Sequence, residues 1–125
     1  MYEQINGNLI HKTALINWDY VEIGTGNTIY PYATIGFDAQ HPREKSDGIV
    51  KIGNNNIIRE YVSIHRPTSL NKVTIIGNDC YLMEGSHIGH DCVVEDNVRN
   101  SRKDLKEDIG NVGEQVVAGL DNLTT

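Results

Sequence analysis

The stretch KIGNNNIIREYVSIHR, residues 51–66, carries isoleucine at every sixth position: Ile52, Ile58 and Ile64. The same spacing continues on both sides of this stretch, at Ile23, Ile29 and Ile35 and at Ile76, Leu82, Ile88 and Val94. A period of six fits neither the α-helical turn of about 3.6 residues nor the simple alternation of a β-strand. The repeat is therefore the structural unit itself, and hexapeptide periodicity is typical of a β-helix.

The other positions of the hexad fit a triangular solenoid in which three short strands make one coil. The fifth position is usually small, as at Ala33, Val62 and Ser86, with Asn27 and Asn56 as polar exceptions. Glycine often follows the repeated aliphatic residue, and we expect it there because a corner needs a residue that tolerates unusual dihedral angles. These glycines are Gly24, Gly36, Gly53, Gly77 and Gly89.

The register is interrupted in two places, and a third segment keeps the spacing of six but has turn chemistry. Ile23 follows Ile16 after seven residues, so one extra residue near positions 18–20 must be absorbed at a corner. The polar, proline-containing segment within residues 37–51 is predicted to leave the solenoid as a loop. A second excursion is predicted over residues 65–74, because HRPTSLNK has turn chemistry.

The chain divides at Val98 into a β-helix over residues 1–98, of about four to five coils, and a tail over residues 99–125 that abandons the hexad register. Apolar residues of the tail recur at three and four, which predicts a short helix. They are Leu105, Ile109, Val112, Val116, Leu120 and Leu123. Three glycines weaken that helix by about 1 kcal/mol each relative to alanine. Two interpretations stay open: a helix that caps the last coil, or the out-of-frame remnant of a truncated gene.

Composition limits the partners. A net charge of −6 over 125 residues argues against nucleic acid, because duplex binding depends on clustered lysine and arginine. No apolar run reaches the length of a membrane span, and the N-terminus lacks the features of a secretion signal. We therefore expect a cytoplasmic protein. So few coils barely form a stable core by stacking alone, which predicts oligomerisation.

The two cysteines fall on the small inward position of the hexad. Cys80 and Cys92 are twelve residues apart, which places them on different faces of the triangle and argues against a disulfide. A nucleophilic thiolate needs a partly exposed, electropositive setting that an interior position does not supply. Packing is therefore the favoured interpretation of both residues.

Histidine is the better candidate for chemistry. His65 lies in SIHRP, and His87 and His90 lie in GSHIGHDC. His87 and His90 bracket an inward isoleucine, so both should lie outside the prism near one corner. A histidine with a pKa near its ordinary value of about 6.5 suits a general base, and Asp91 could orient the ring of His90. The alternative is that these are surface residues without a task.

Three longer runs resemble the family of UDP-N-acetylglucosamine O-acyltransferases of lipid A biosynthesis. They are VEIGTGNTIYPYATIGFDAQ (21–40), KIGNNNIIREYVSIHR (51–66) and VTIIGNDCYLMEGSHIGHDCVV (73–94), and the resemblance covers about residues 9–98. It implies a left-handed parallel β-helix that works as a homotrimer. It also implies transfer of a (3-hydroxy)acyl group from acyl carrier protein to the 3-hydroxyl of the nucleotide sugar UDP-N-acetylglucosamine. Neither a cofactor nor a metal is predicted.

The resemblance assigns roles to the histidines. His90 matches the second histidine of the family's HIAHDC segment and would be the general base, assisted by Asp91. His87 would contact the sugar. His65, which matches the histidine of the family's TIHRG segment, would contact the nucleotide sugar.

Gln40 matches the glutamine of the family's QDLK loop motif and is assigned to substrate binding. The next residues here are His41, Pro42 and Arg43, which depart from that motif. Arg43 would keep the positive charge of the family's lysine, although a guanidinium does not reproduce the geometry of an ammonium group.

Two further function classes stay open. The family continues with more coils and a helical domain, whereas this chain departs from that pattern after Val98, which favours a non-catalytic or vestigial trimer. The trimeric carbonic anhydrases built on the same β-helix bind zinc with histidines, so His65, His87 and His90 could be ligands. The histidine spacing and the HGC element of those enzymes are absent from this sequence.

Overall fold

The computed structural model describes residues 1–38, 46–68, 73–89 and 92–100. These ranges form short β-strands and one 3₁₀ turn at Trp18–Tyr20. In chain order the strands are β1 (Tyr2–Ile5), β2 (Asn8–His11), β3 (Leu15–Ile16), β4 (Val21–Ile23), β5 (Thr28–Ile29), β6 (Thr34–Phe37), β7 (Ile49–Ile52), β8 (Ile57–Ile58), β9 (Ser63–His65), β10 (Val73–Ile76), β11 (Tyr81–Leu82), β12 (His87–Ile88), β13 (Val93–Val94) and β14 (Arg99–Asn100).

Every third strand joins the same sheet. Sheet A has the order β1-β2-β5-β8-β11-β14, sheet B the order β12-β9-β6-β3, and sheet C the order β13-β10-β7-β4. From β2 onward all pairs are parallel. Within the described ranges the chain therefore makes four complete coils and the first strand of a fifth. The predicted all-β fold, a parallel β-helix of about four to five coils, is confirmed.

The repeated aliphatic residues fill the inside of the prism, as the hexad predicts. In-register pairing stacks each one on its equivalent in the next coil, for example Ile35 on Ile64 and Ile64 on Ile88. The fully buried members include Ile29, Ile35, Ile58, Leu82, Ile88 and Val94. Burying a side chain of this size contributes about 1.5–3 kcal/mol, so the repeat is the main source of stability.

The two polar exceptions in the hexad form a buried ladder. Asn27 accepts a hydrogen bond on Oδ1 from the backbone N–H of Asn56 at 2.8 Å, and donates from Nδ2 to the carbonyl of Gly53 at 2.9 Å. Asn56 repeats both contacts one coil on, with Cys80 N and the Gly77 carbonyl. Each buried amide is satisfied by the neighbouring coil, which is why asparagine is tolerated inside this prism.

The expected reason for the repeated glycines is wrong at Gly24, Gly53 and Gly77, whose φ angles are not positive. A Cβ at Gly24 would instead overlap the side-chain oxygen of Asn54, which accepts a hydrogen bond from Thr25 N at 2.8 Å. Glycine is required here for close approach between coils. The expected unusual dihedral angle is found at Gly36, where φ is +89°, although this residue lies within β6.

The N-terminal strand closes the first coil as an antiparallel hairpin. β1 pairs with β2 from Tyr2↔His11 to Ile5↔Asn8. The connecting residues Asn6 and Gly7 have φ of +50° and +84°, the signs that a tight type I′ turn requires.

The three irregular segments of the repeat fall in connections between strands. The 3₁₀ turn Trp18–Tyr20 absorbs the extra residue between Ile16 and Ile23, as predicted. The excursions predicted over 37–51 and 65–74 correspond to the connections from β6 to β7 and from β9 to β10. Paired strands run into both ranges, to Phe37 and from Ile49 in the first, and to His65 and from Val73 in the second.

The described part of the chain ends at Asn100, two residues after Val98. β14 pairs with β11 through Tyr81↔Arg99 and Leu82↔Asn100 and carries sheet A two residues into the range predicted for the tail. The hexad has asparagine instead of an aliphatic residue at position 100, but a strand can still pair there through its backbone. The predicted tail helix lies outside the described residues.

Candidate active site

Two of the candidate histidines lie together on the outside of sheet B. His65 is the last residue of β9 and His87 the first of β12, and the register Ile64↔Ile88 sets the two strands side by side. Their ring centroids are 4.7 Å apart with an interplanar angle of 52°. Both side chains are half-buried. The residue directly opposite His87 is Ser63, so the contact with His65 is a diagonal one between outward side chains of neighbouring strands.

The ring of His65 is held by the backbone at the end of β6. Its Nδ1 lies 2.8 Å from the carbonyl oxygen of Asp38. A carbonyl only accepts, so Nδ1 carries the hydrogen and the neutral ring has its lone pair on Nε2. The orientation and the tautomer of His65 therefore depend on where Asp38 lies.

Arg66 follows His65 and turns into the molecule, where it is 8% exposed. Its Nε donates to the carbonyl of Gly48 at 3.0 Å, and one terminal nitrogen lies 3.5 Å from Oδ1 of Asp38. The guanidinium carbon lies 3.6 Å from the ring centroid of Tyr20. One cation thus contacts both ends of the β6–β7 connection and the 3₁₀ turn of the first coil.

Backbone hydrogen bonds secure the same region. Arg66 N donates to the carbonyl of Phe37 at 2.9 Å, and Asp47 N donates to that of Pro67 at 2.8 Å. The pairing of β6 with β9 shifts between Ile35 and Phe37, an irregularity of the kind that redirects a strand beside a site. Arg66 and Pro67, which follow β9 in the third coil, therefore bind both ends of the connection between β6 and β7 in the second coil.

The other candidate residues lie outside the described part of the chain. His90 and Asp91 fall between Gly89 and Cys92, both of which are buried, while Gln40 and Arg43 fall between Asp38 and Ser46. Their predicted roles as base, assistant and substrate contacts stay predictions. The zinc alternative stays open too, because it needs His90. Across residues 1–38, 46–68, 73–89 and 92–100 no group of three or more potential ligands could hold a metal ion.

The cysteines occupy packing positions, as the hexad predicts. Cys80 and Cys92 are both buried thiols. Burial is the main cause that raises the pKa of the Cys80 thiol above its usual value. Its sulfur donates to the carbonyl of Glu95 at 3.0 Å. A raised pKa suppresses the thiolate, so the setting of Cys80 opposes nucleophilic chemistry.

The sequence analysis missed Arg66, Tyr20 and Asp38. The available signal was an arginine directly beside a candidate histidine, in a hexad where the aliphatic repeat gives way to turn residues. Its partners are distant in sequence, since Tyr20 is 46 positions and Asp38 is 28 positions before it. Only the stacking of coils brings them together.

Over more than half of its length, the chain is similar in sequence to known acyltransferases. It is 50% identical over 78 residues to the acyl-[acyl-carrier-protein]–UDP-N-acetylglucosamine O-acyltransferase of Synechocystis, which covers 62% of this chain and 28% of that relative. The protein of the same name from Thermodesulfovibrio yellowstonii is 45% identical over 92 residues, 69% of this chain and 36% of the relative. No protein-family model matches the chain.

Solved structures give the same result. A UDP-N-acetylglucosamine acyltransferase from Bacteroides fragilis superposes with a TM-score of 0.70 at 40% identity, covering 74% of this chain and 36% of that one. An Arabidopsis UDP-N-acetylglucosamine acyltransferase superposes with a TM-score of 0.59 at 27% identity, over 75% of this chain and 47% of the other. The fold shared with these acyltransferase structures is the left-handed parallel β-helix.

The chain spans about a third of the length of the curated relatives it matches. Nowhere in the four described ranges is there a helix long and apolar enough to cross a bilayer. Over the part that it shares with them, the chain is similar in sequence and in fold to the acyl-[acyl-carrier-protein]–UDP-N-acetylglucosamine O-acyltransferases.

Proposed function

We propose that this chain takes part in transferring a (3-hydroxy)acyl group from acyl carrier protein to the 3-hydroxyl of UDP-N-acetylglucosamine, a reaction of lipid A biosynthesis, in the cytoplasm. The observation that carries the proposal is the contact between the rings of His65 and His87 at 4.7 Å. It occurs in a chain whose relatives, at 40–50% identity, bear the name of that reaction.

In the proposed mechanism His90 removes the proton of the sugar 3-hydroxyl as that oxygen attacks the thioester carbon. The C–O bond forms, the C–S bond breaks, and the thiol of the carrier protein leaves with the proton. Asp91 stabilises the imidazolium that His90 becomes. A general base in this position contributes about two to four orders of magnitude in rate.

His65 and His87 act as substrate contacts in this proposal. Both are half-buried on one face of sheet B, and His87 lies three residues before His90. An N–H of His87 would donate to a hydroxyl or phosphate oxygen, whereas the Nδ1–H of His65 is already donated to the Asp38 carbonyl, which leaves Nε2 of His65 as an acceptor. Gln40 and Arg43 would add contacts from the connection that starts beside Asp38.

A second subunit belongs to the proposal. Sheet B is an open face, and small-molecule sites are usually concave. We propose a homotrimer in which His90 lies at a subunit interface, so that the neighbouring chain supplies the second wall.

The test is turnover by this chain of an acyl-carrier-protein thioester and UDP-N-acetylglucosamine, with acylated product measured by mass spectrometry. Product formation that is lost in His90→Ala and kept in His11→Gln supports the proposal. His11 is the matched control because it is a half-buried histidine on sheet A that packs against Tyr2. Absence of product with a folded, assembled chain would instead favour the non-catalytic trimer.

A further inference from the structure

Arg66 is a buried cation, whereas Arg59, the other ion-paired arginine among the described residues, is surface-accessible. The side chain of Arg66 is 9% exposed, against 33% for Arg59, which pairs with Glu60. Removing a positive charge from water is unfavourable unless hydrogen bonds and opposite or quadrupolar charge compensate it. The partners of Arg66 are therefore required by its position.

Those partners differ in strength. The hydrogen bond from Nε to the Gly48 carbonyl, at 3.0 Å, and the face of Tyr20, at 3.6 Å, are close contacts of the buried guanidinium. The carboxylate of Asp38 is at 3.5 Å and its side chain is 80% exposed, so water screens that attraction. Gly48 and Tyr20 therefore fix the position of the guanidinium. The weaker attraction between the guanidinium and the Asp38 carboxylate then orients Asp38.

Asp38 connects Arg66 to the candidate site. Its carboxylate faces the guanidinium of Arg66, and its carbonyl accepts the hydrogen bond from Nδ1 of His65 at 2.8 Å. The backbone N–H of Arg66 also donates to the carbonyl of Phe37, the residue before Asp38. These two contacts from Arg66 hold Asp38 in place, and the carbonyl of Asp38 in turn orients the ring of His65.

We propose that Arg66, supported by the ring of Tyr20, is a positioning residue for His65. By holding Asp38 and Gly48 it sets the His65 ring in one orientation, with the hydrogen on Nδ1. The consequence for nucleotide-sugar binding rests on the proposed function, whereas the effect on the His65 ring does not.

Lysine should not replace Arg66. A guanidinium donates from Nε and from a terminal nitrogen in fixed, divergent directions while its flat face stacks on a ring. An ammonium group is a single point of charge and cannot contact Gly48 and Asp38 in the same geometry. Arg66→Lys therefore keeps the positive charge but removes the hydrogen-bond geometry of the guanidinium.

The experiment uses the full chain and its variants Arg66→Lys and Tyr20→Leu. Arg59→Lys is the matched control, because Arg59 also lies over a tyrosine ring, at 4.3 Å from the centroid of Tyr30, and beside a carboxylate, but on sheet A. The readout is the imidazole ¹⁵N spectrum, in which the two neutral tautomers have distinct shifts, with the His65 signals assigned by their loss in His65→Gln. Binding of UDP-N-acetylglucosamine is measured by calorimetry on the same samples.

We expect His65 to be the Nδ1–H tautomer in the unmodified chain and in Arg59→Lys, and a mixture of tautomers in Arg66→Lys. Nucleotide-sugar binding should weaken at least about tenfold in Arg66→Lys, since small misplacements of a contact are costly. An unchanged Nδ1–H signal in folded Arg66→Lys would overturn the proposal. Should that variant not fold, Tyr20→Leu decides, and an unmodified His65 spectrum in it overturns the proposal equally.

The two hypotheses fail in different ways. If no variant, including the unmodified chain, binds UDP-N-acetylglucosamine, the proposed function loses its support, yet a tautomer mixture in Arg66→Lys still establishes the positioning role. If the unmodified chain binds the nucleotide sugar and Arg66→Lys keeps both the tautomer and the affinity, the positioning role is refuted and the proposed function is untouched.

Discussion

Asn27 and Asn56 are 29 residues apart in the sequence, yet Oδ1 of Asn27 accepts a hydrogen bond from the backbone N–H of Asn56 at 2.8 Å in the interior of the prism. Each asparagine thereby joins its own coil to the next one. Buried amides are costly unless satisfied, so this ladder fixes which coil faces which.

Replacing Asn56 by alanine should lower the free energy of unfolding by about 2 kcal/mol or more. The change leaves Cys80 N and the Gly77 carbonyl without their buried partner, and each unsatisfied group costs about 1–3 kcal/mol. Urea denaturation measures the loss. Asn54→Ala is the matched control, because the hydrogen bond that Thr25 N donates to Asn54 is exposed and water can replace it. Equal losses in the two variants would contradict this account.

Cys80→Asn should be tolerated, although it places an amide at a buried position. The Cys80 sulfur already donates to the Glu95 carbonyl, and its backbone N–H already binds Asn56 Oδ1. An asparagine there would extend the ladder by one coil. We expect a melting temperature equal to or above that of the unmodified chain, whereas Cys92→Asn, in the buried row of Val50 and Thr74, should be clearly destabilised. Similar losses for both variants would show that the ladder cannot be extended.

The Cys80 thiol should make stability fall at alkaline pH. Its pKa is raised in the folded protein, mainly by burial, so above the ordinary thiol value of about 8.5 the unfolded chain releases a proton that the folded chain keeps. The stabilisation is complete below that pH and is lost as the pH rises through the folded pKa. Urea midpoints between pH 7 and 10 measure the slope, which should be shallower in Cys80→Ser. Identical slopes would rule out a contribution from this thiol.

His90→Ala should lower turnover by about two to four orders of magnitude without changing the melting temperature, if His90 is the general base of the proposed reaction. Asp91→Asn should cost less, because it removes only assistance to the base. Steady-state assay and thermal denaturation of the same preparations separate the two effects. A matching loss of stability would identify His90 as a structural residue instead.

The proposed homotrimer should sediment at three times the chain mass of 14.0 kDa at micromolar concentration. Few coils give a thin core, so each prism gains stability by covering an outer face. A single 14.0 kDa species would remove the subunit interface from the proposed site, and with it most of the catalytic proposal.

The sequence was sufficient for the fold because a β-helix is periodic and local. The aliphatic repeat assigns the inward position of every hexad without knowledge of distant contacts. The one extra residue between Ile16 and Ile23 is visible as a spacing of seven instead of six. The Asn-Gly pair at positions 6–7 is an equally local hairpin signal, which the sequence analysis did not use. This pair precedes the hexads, so the aliphatic repeat carries no information about it.

What the sequence by itself determined, then, is a β-helix of about four to five coils and its inward residues, and, through the resemblance to the acyltransferases, its left hand and the histidine segments. Only the tertiary structure decided why Gly24 is glycine, why Asn56 is tolerated in the core, and how Tyr20, Asp38 and Gly48 converge on Arg66 beside His65. The physical reason is the same in each case. These residues interact with the next coil or the one beyond it, and such contacts depend on stacking in space rather than on spacing along the chain.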